Sequence, residues 1–457
     1  MIGHSARSGV ALALLCVGAF VGSLDATVVA VALPAIARDL HADLTDLQWI
    51  VDGYLLAVAC LLLCAGSLGD ATGRKRVYLV GLTGFTTVSA LCALAPNLGV
   101  LVAARAGQGV FGAALLAVSL ALTSAVYPEP SARARAIGIW AGVGALGLAV
   151  GPVVGGGLIA QFGWRSIFWV NVPIGLATVL PLVRLLPAQP SRSHRLDLVG
   201  QALFTIGTLT LTYALIEANR RGWTSAGILA ALATSAVTLL LFAAWERRES
   251  SPMLPPRLLR IPAVSVGGAV NFLGLAALIP TIFLLTLYFQ DVRGLSAAAT
   301  GVRLLPLTIP MMIGSLVAPS AAVRWGTRTM ILAGSALTAA GLGGLFVALG
   351  GDWAAGEWAT LALVGFGIPF AVAPATVAAL GHAPAELVAT TAGAMNTFRQ
   401  LGGVAGIALV GLLLPAGSTF VAGMRTTIAV AAMFALLTAL AAVPIRKPAR
   451  GTEPVRT

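Results

Sequence analysis

The stretch Gly66-Ser67-Leu68-Gly69-Asp70-Ala71-Thr72-Gly73-Arg74-Lys75-Arg76 joins two long apolar runs, near 46–67 and 77–95. Its glycines permit a tight turn and a close approach of the flanking helices. One acid precedes the turn, and three basic residues follow it. Because basic residues concentrate in connections on the cytoplasmic side of a membrane, this stretch predicts a transmembrane helical hairpin with its turn in the cytoplasm.

The composition of the chain excludes an ordinary soluble protein. Of its 457 residues, 58% are hydrophobic and only 10% are charged, whereas soluble proteins carry about 25% charged residues. The net charge is +12, but the arginines stand singly or in twos and threes between apolar runs, which argues against nucleic-acid binding. The four cysteines fall inside apolar runs and the four histidines do not cluster, so neither disulfides nor a metal site is predicted.

Fourteen apolar runs are long enough to cross a bilayer, which takes about 20 residues. Backbone groups in hydrocarbon must bond within the protein, so each run is predicted to be a helix rather than a barrel strand. The first run contains Asp25 and is too long for the core of a signal peptide, so we expect it to be retained. The runs lie near 10–36, 46–67, 77–95, 98–125, 136–159, 165–187, 198–217, 224–244, 262–289, 298–320, 329–349, 358–380, 388–415 and 424–444.

The basic residues predict the orientation of these helices. If the chain starts inside the cell, its cytoplasmic segments hold 19 of the 28 lysines and arginines and its outer segments hold 7, while Arg105 and Arg399 lie within apolar runs. This bias places both termini in the cytoplasm. The expected location is the cell membrane, plasma or inner, with many crossings.

The order of Gly66, Asp70, Gly73 and Arg74 strongly resembles the signature loop of the major facilitator superfamily. In that superfamily the loop latches the two halves of a transporter in one state, so the resemblance implies a conformational latch at these four residues. A faded counterpart occurs at 323–328, where aligning Gly326 with Gly73 puts Val323 in the place of Asp70. This hint of a parallel internal repeat is expected for that fold.

A glycine-rich pattern fills the fifth apolar run. Residues 142–147 fit G-x-G-x-x-G, but no strand precedes them, so a dinucleotide site is not predicted. The spacing of the glycines instead lays small residues along one helix face, which permits close packing, and Pro152 is expected to bend the helix. The pattern resembles the antiporter motif of exporters in this superfamily. Its residues are Gly147, Gly151, Pro152, Gly155 and Gly156.

Residues 24–34 resemble the first-helix motif of the fourteen-helix drug:proton antiporter family, with Ala30 where that family often has Asn. Asp25 stands about 15 residues into this run, roughly 22 Å from its cytoplasmic end at 1.5 Å per residue. A carboxylate at that depth indicates a functional site, and a structural ion pair is the alternative. Arg105 lies in a stretch that resembles the fourth-helix motif associated with proton transfer. It offers a counter-charge, although the sequence does not show whether the two side chains meet.

Further resemblance to the fourteen-helix family covers almost the whole chain, through residues 47–56, residues 164–175 and the Asn396–Gly403 segment. The predicted fold is an all-α polytopic membrane protein with the major facilitator fold, in which two six-helix bundles flank two extra central helices. The predicted domains are an N-terminal bundle at 1–190, linker helices at 191–261 and a C-terminal bundle with a short tail at 262–457.

A substrate cavity is expected between the two bundles near the middle of the bilayer. Its candidates supply aromatic and polar groups on otherwise apolar helices. Two acids, Asp52 and Glu217, are placed near the outer ends of their helices. We interpret each as a solvated acid at the membrane interface, and binding of cationic drugs is the less favoured alternative. The candidate lining residues are Trp49, Asp52, Tyr54, Asn271, Phe289, Gln290, Asn396 and Gln400.

The predicted function is a proton-coupled antiporter that exports hydrophobic or cationic small molecules, such as drugs, antibiotics or a natural product, by alternating access. Proton-coupled uptake is the alternative, and the glycine-proline motif disfavours it. An enzyme is not predicted, because the chain has no Walker A loop, no His/Cys cluster and no H-E-x-x-H. The expected energy source is the proton gradient without a cofactor. The expected partners are the substrate, protons and lipid, and the chain is expected to act as a monomer.

Overall fold

The computed structural model describes residues 2–127, 129–186, 196–349, 354–414 and 419–442, and all regular structure in these ranges is helical. A π-helix at Tyr288–Val292 continues α11, and a 3-10 turn at Ala385–Leu387 precedes α16. The helices are α1 (Ile2–Leu40), α2 (Leu44–Thr72), α3 (Arg74–Ala93), α4 (Leu98–Val126), α5 (Pro130–Phe162), α6 (Ser166–Trp169), α7 (Asn171–Leu185), α8 (Leu198–Arg221), α9 (Ala226–Glu246), α10 (Pro256–Leu259), α11 (Pro262–Leu287), α12 (Ala297–Arg303), α13 (Leu305–Trp325), α14 (Thr327–Ala348), α15 (Ala354–His382), α16 (Val388–Leu413) and α17 (Phe420–Ala441).

Thirteen segments within the described ranges are long and apolar enough to cross a membrane, with α6 and α7 together forming one of them. The remaining long helix, α16, has 26 residues, which is enough to span a hydrocarbon layer of about 30 Å. Asn396, Arg399 and Gln400 lower its mean hydropathy. With α16 the predicted set of fourteen crossings is complete, and the all-helical fold class is confirmed.

The helices pack as two groups with a pair between them. In the first group α1 packs on α5, and α4 packs on α2 and α3. In the second group α11 packs on α16, and α15 packs on α13 and α14. The pair α8 and α9 pack on each other, and α8 also contacts α2 and α16. The division into 1–190, 191–261 and 262–457 stays a prediction.

The two halves share a backbone feature that matches the faded repeat in the sequence. Gly73 is the single residue between α2 and α3, and Gly326 is the single residue between α13 and α14. Their φ angles are 101° and 84°, a region that side chains other than glycine rarely adopt. Val323, in the place of Asp70, is 90% exposed, so the second turn has no acid and its equivalent position contacts little.

The two ends of the bundle differ in how tightly the halves meet. We call the end where α1 begins the near side and the end where α1 stops the far side. On the far side one hydrophobic core includes both halves, whereas near-side apolar residues form separate clusters. Among the described residues, the C-terminal half contributes to the largest of these clusters one buried residue, Val404, and the partly buried Ile279. Far-side hydrogen bonds also cross between the halves. They run from Gln48 to the carbonyl of Ile407, from Gln290 to that of Val31 (2.9 Å) and from Thr308 to that of Ala149 (2.9 Å).

Candidate proton-coupling and substrate site

Asp25 lies in a fully buried polar cluster inside the N-terminal half. Its side chain has no exposed surface, and Nη1 of Arg105 on α4 lies 2.7 Å from its Oδ2. Gln108, one turn further along α4, donates from Nε2 to Asp25 Oδ1 at 3.0 Å and to Ser89 Oγ at 2.9 Å. Asn171 at the start of α7 completes the cluster at 3.5 Å from Asp25 Oδ1. The cluster therefore joins side chains from four helices, α1, α3, α4 and α7.

The guanidinium group of Arg105 makes further hydrogen bonds and also contacts two aromatic rings. Its Nη1 also donates to Gln108 Oε1, and its Nε donates to the carbonyl of Ile50 at 3.2 Å. Its guanidinium carbon lies 4.5 Å from the ring centre of Tyr54 and 5.8 Å from that of Phe168. A buried charge pair of this kind is stable only when both partners are present and their remaining hydrogen bonds are satisfied. The arrangement can hold an ionised Asp25 in a dry bundle.

The meeting of Asp25 and Arg105 settles a point that the sequence left open, namely whether the counter-charge reaches the acid. The sequence did not single out Gln108, Asn171 or Ser89, although Gln108 and Asn171 stand in stretches that resemble family motifs. The missed signal was their polarity, because an amide inside a membrane helix is costly unless it is hydrogen-bonded.

The polar side chains of the hairpin at 66–76 make their contacts within the N-terminal half. Nη2 and Nε of Arg74 both lie 2.8 Å from Asp70 Oδ1. Lys75 donates to the carbonyls of Val183 and Leu186 at 2.7 Å each, which fixes the start of α3 to the end of α7. A Cβ atom at Gly66 would meet open space. In the described part of the chain, no hydrogen bond or ion pair joins Asp70 or its neighbours at 71–76 to the C-terminal half.

The glycines of α5 face two different neighbours. Gly147, Gly151 and Gly155 lie against α1, and a Cβ atom at Gly151 would overlap Oγ1 of Thr27. Gly156 instead lies against α12 of the C-terminal half, where a Cβ atom would overlap the carbonyl of Ala297. One face of α5 therefore packs within its own bundle and another seals the far side against the opposite bundle.

Pro152 takes part in the second of these contacts. It lies inside α5, and its carbonyl approaches Gly301 of α12 so closely that a Cβ atom there would overlap it. Gly301 on α12, together with Gly156 on α5, lets the two backbones approach closely.

The predicted lining residues do not come together in one cavity. Trp49 donates from Nε1 to Oε1 of Glu217 on α8 at 3.1 Å. Tyr54 is buried inside the N-terminal half against Arg105. Asn271 is buried within the C-terminal half and donates to Thr376 Oγ1 at 3.0 Å.

Four further candidates lie closer to the boundary between the halves. Phe289 and Gln290 belong to the far-side π-helix, and both are buried. Asn396 and Gln400 are half-buried in α16, which packs on α2. Asn396 precedes Gly403 by one heptad, so the two share a helix face, and Gly403 packs against Leu55 of α2. Asn396 is therefore placed at the interface of the two halves.

The interpretation of Asp52 and Glu217 as solvated interfacial acids was wrong. Asp52 has no exposed surface, and neither of its carboxylate oxygens has a hydrogen-bond partner. Glu217 is 5% exposed and accepts bonds from Trp49 and from Arg221 Nε, the latter at 3.2 Å. The positions of Asp52 and Glu217 along their helices predicted that both lie near the membrane surface and are exposed to water. However, α8 and α16 pack beside α2, and this packing removes both side chains from solvent. Asp25 is consequently not the only buried acid.

Helices of membrane length in two bundles, with a buried ion pair inside one of them, are the architecture of a multi-pass membrane transporter. Residues 15–407 match the family model described as Major Facilitator Superfamily. The chain is 38% identical over 400 residues to Multidrug resistance protein Stp of Mycobacterium tuberculosis, covering 87% of this chain and 74% of that protein. It is 36% identical over 423 residues to the Tetracenomycin C resistance and export protein of Streptomyces glaucescens, covering 90% and 78%.

The chain belongs to the major facilitator superfamily, a family of membrane transporters, as the resemblance in the sequence indicated. Among solved structures, the human organic anion transporter MFSD10 matches with a TM-score of 0.65 over 95% of this chain and 99% of that one. At 15% sequence identity this likeness shows the fold alone.

Proposed function

We propose that this protein is a proton-coupled antiporter that exports hydrophobic or cationic small molecules through the cell membrane, with both termini in the cytoplasm. The observation that carries the proposal is the buried pair of Asp25 and Arg105 in the N-terminal half. The recorded roles of its relatives in multidrug resistance and in tetracenomycin C export support export as the direction. One chain supplies both bundles, so we propose that it works as a monomer, driven by protons without a cofactor.

The proposed coupling step is the protonation of Asp25. A proton on the carboxylate removes its attraction to Arg105 and changes the relative free energy of the two transporter states. The cluster contains a hydrogen-bond acceptor for the protonated carboxyl group, because Oδ1 of Asn171 is buried without a hydrogen-bond partner. Rotation of the Asn171 amide would turn this oxygen toward a neutral Asp25.

The described conformation corresponds to the inward-facing state of the proposed cycle. With the near side in the cytoplasm, the sealed far side is the outer gate, and the separated near-side clusters border the entry for substrate. In this state Asp70 bonds to Arg74 of its own hairpin. We propose that the loop acts as a latch in the opposite, outward-facing state, when the near side closes.

The proposed function is tested with inside-out membrane vesicles that have been acidified inside by a proton pump. An antiporter of this kind moves ethidium or tetracenomycin C into the vesicles and lets protons out, so the pH gradient should fall when a substrate is added. Vesicles without the protein serve as the control. The proposal would be contradicted if no compound in a panel of cationic and neutral antibiotics moved into the vesicles. It would also be contradicted if the compounds moved in the opposite direction.

The orientation gives a prediction of its own. A cysteine at Ser251, in the connection between α9 and α10, should resist a membrane-impermeant thiol reagent on intact cells, because the near side faces the cytoplasm. The background carries alanine at the four native cysteines. A cysteine at Thr224, exposed in the far-side turn before α9, is the matched control and should be labelled. Strong labelling at 251 together with protection at 224 would reverse the assigned orientation.

A further inference from the structure

An arginine lies near the middle of α16, at the depth of the centre of the bilayer. Arg399 stands between the near-side start of α16 at Val388 and its far-side end at Leu413. At 1.5 Å per residue it is about 16 Å from the near-side end of the helix, and the hydrocarbon layer is about 30 Å thick. A charged side chain at this depth is costly and marks a functional site.

Arg399 has no partner among the residues that the structure describes. It makes no hydrogen bond, ion pair or contact with an aromatic ring there. The side chain is half-buried, and its guanidinium nitrogens keep exposed surface. Arg105, the other arginine that the sequence places within an apolar run, is bound to Asp25 at 2.7 Å. The charge of Arg399 is therefore uncompensated in this conformation.

Most acids on the helices that pack against α16 are already paired with other arginines. The helices α11 and α17 contain no acid, and Glu386, in the turn before α16, is exposed. On α2, α8 and α15, only Asp52 lacks a partner within the described ranges. The paired acids are Asp46 with Arg220, Asp70 with Arg74, Glu217 with Arg221 and Glu357 with Arg303.

Asp52 lies further toward the far side than Arg399. Leu55, which follows Asp52 on α2, packs against Gly403, and Gln48, which precedes it, bonds to α16 one turn beyond that glycine. Asp52 is therefore level with a part of α16 that lies more than about one helical turn past Arg399. The two unpaired charges do not meet in this conformation.

Arg399 is directed at the boundary between the two halves. Gly403 follows it by one turn, so the two residues share a helix face. A Cβ atom at Gly403 would contact Leu55 of α2 and Ile279 of α11, which belong to opposite halves. Because the far side is sealed, this boundary is reached from the near side.

The wall opposite Arg399 is apolar. Leu63 of α2 lies against Gly393, which precedes Arg399 on α16. Together with the contact at Leu55, this places residues 56–62 of α2 opposite the arginine. None of these seven residues is charged or carries an amide. Arg399 therefore presents one positive charge to an otherwise apolar cleft.

We propose that Arg399 binds an acidic oxygen, such as a carboxylate, on the exported molecule in the cleft between the two halves. The proposal rests on the proposed export function and narrows its substrates to hydrophobic molecules that carry an acid group. A guanidinium group donates two parallel hydrogen bonds to a carboxylate, and this pairing offsets the cost of a buried charge. The apolar residues 56–62 of α2 suit the hydrophobic part of such a molecule.

The test compares two fluorescent probes that share one ring system. Rhodamine B carries a carboxylate, and its ethyl ester differs from it only in the loss of that acid group. Binding to the purified full-length protein in phosphatidylcholine nanodiscs is measured by fluorescence anisotropy, with empty nanodiscs as the blank. The wild type should bind rhodamine B with a Kd about tenfold lower than that of the ester, because a hydrogen bond to a charged group has about this effect.

Arg399→Gln should raise the Kd of rhodamine B about tenfold and leave that of the ester unchanged. The variant should fold, because the side chain that it removes makes no hydrogen bond within the described structure. Arg399→Lys retains the charge without the planar fork and should keep part of the preference for the acid. Arg257→Gln is the matched control, since it removes the same charge from an exposed near-side position and should change neither Kd.

The proposal would be overturned if the wild type bound the two probes equally or bound neither, a result that needs no variant. It would also be overturned if Arg399→Gln raised both Kd values alike, as expected of an arginine that pairs with Asp52 in another state. Loss of the Arg399→Gln effect in phosphatidylglycerol nanodiscs would assign Arg399 to a lipid headgroup instead of a substrate. Ethidium export by the wild type, measured separately in vesicles, would show that the proposed function itself still stands.

Discussion

Asp25→Asn is expected to abolish uphill export, because asparagine has nearly the shape of aspartate but cannot bind and release a proton. Downhill equilibration of substrate should persist. The variant leaves the Arg105 charge without its counter-ion, and removing one partner of a buried pair costs about 3–5 kcal/mol of stability. The double variant Asp25→Asn with Arg105→Gln removes both charges, so it should recover most of this stability while still failing to export uphill.

The size of the effect follows from the energy that one proton supplies. A membrane potential contributes about 2.3 kcal/mol per charge per 100 mV. One proton entering at about 150 mV therefore yields about 3.5 kcal/mol, enough for a several-hundred-fold gradient of a neutral substrate. A pH difference of one unit adds about 1.4 kcal/mol. A transporter without its proton carrier loses all of this gradient.

The measurement is drug-induced proton release from proteoliposomes, with the wild type, the single variant and the double variant compared at equal amounts of folded protein. The wild type should release protons on addition of substrate, and neither variant should. Proton-coupled export by Asp25→Asn would exclude Asp25 as the essential carrier. The assignment would then move to Asp52, whose carboxylate is buried without a partner.

Gly156→Leu is expected to hold the far side open and stop export. A side chain at this position has no room while α5 lies against α12, since even its Cβ atom would overlap the carbonyl of Ala297. Overpacking of this kind costs about 1–3 kcal/mol, which changes the ratio of the two states roughly 5- to 150-fold. The cost falls on the sealed state alone, so the protein should fold but favour the outward-open state.

The neighbouring residue provides a matched control. A Cβ atom at Gly157 would meet no other atom within 4 Å, so Gly157→Leu should export normally. The conformational change is measured as the distance between spin labels at Leu94 and Val347, which are exposed at the far ends of α3 and α14. Gly156→Leu should lengthen this distance and Gly157→Leu should not. Equal distances and equal export in both variants would show that α5 does not control closure at Gly156.

The sequence by itself determined the helices and several of their ends. Fourteen apolar runs predicted the crossings because the thickness of a bilayer sets the length of a spanning helix. Gly73 marked the turn between α2 and α3, and Gly326 marked its counterpart, because both require a positive φ that glycine adopts at low cost. Asp25 was recognisable as a deep acid from its place in a single run.

Only the tertiary structure decided which side chains meet. Asp25 and Arg105 are 80 residues apart, and no local rule gives the distance between their helices. Gly156 and Gly157 are adjacent in sequence, but the 100° turn between successive helical residues points one at α12 and the other at open space. Asp52 was misplaced for the same reason. Distance along a helix gives depth in the membrane, whereas lateral burial depends on neighbours such as α8 and α16, which come from distant parts of the chain.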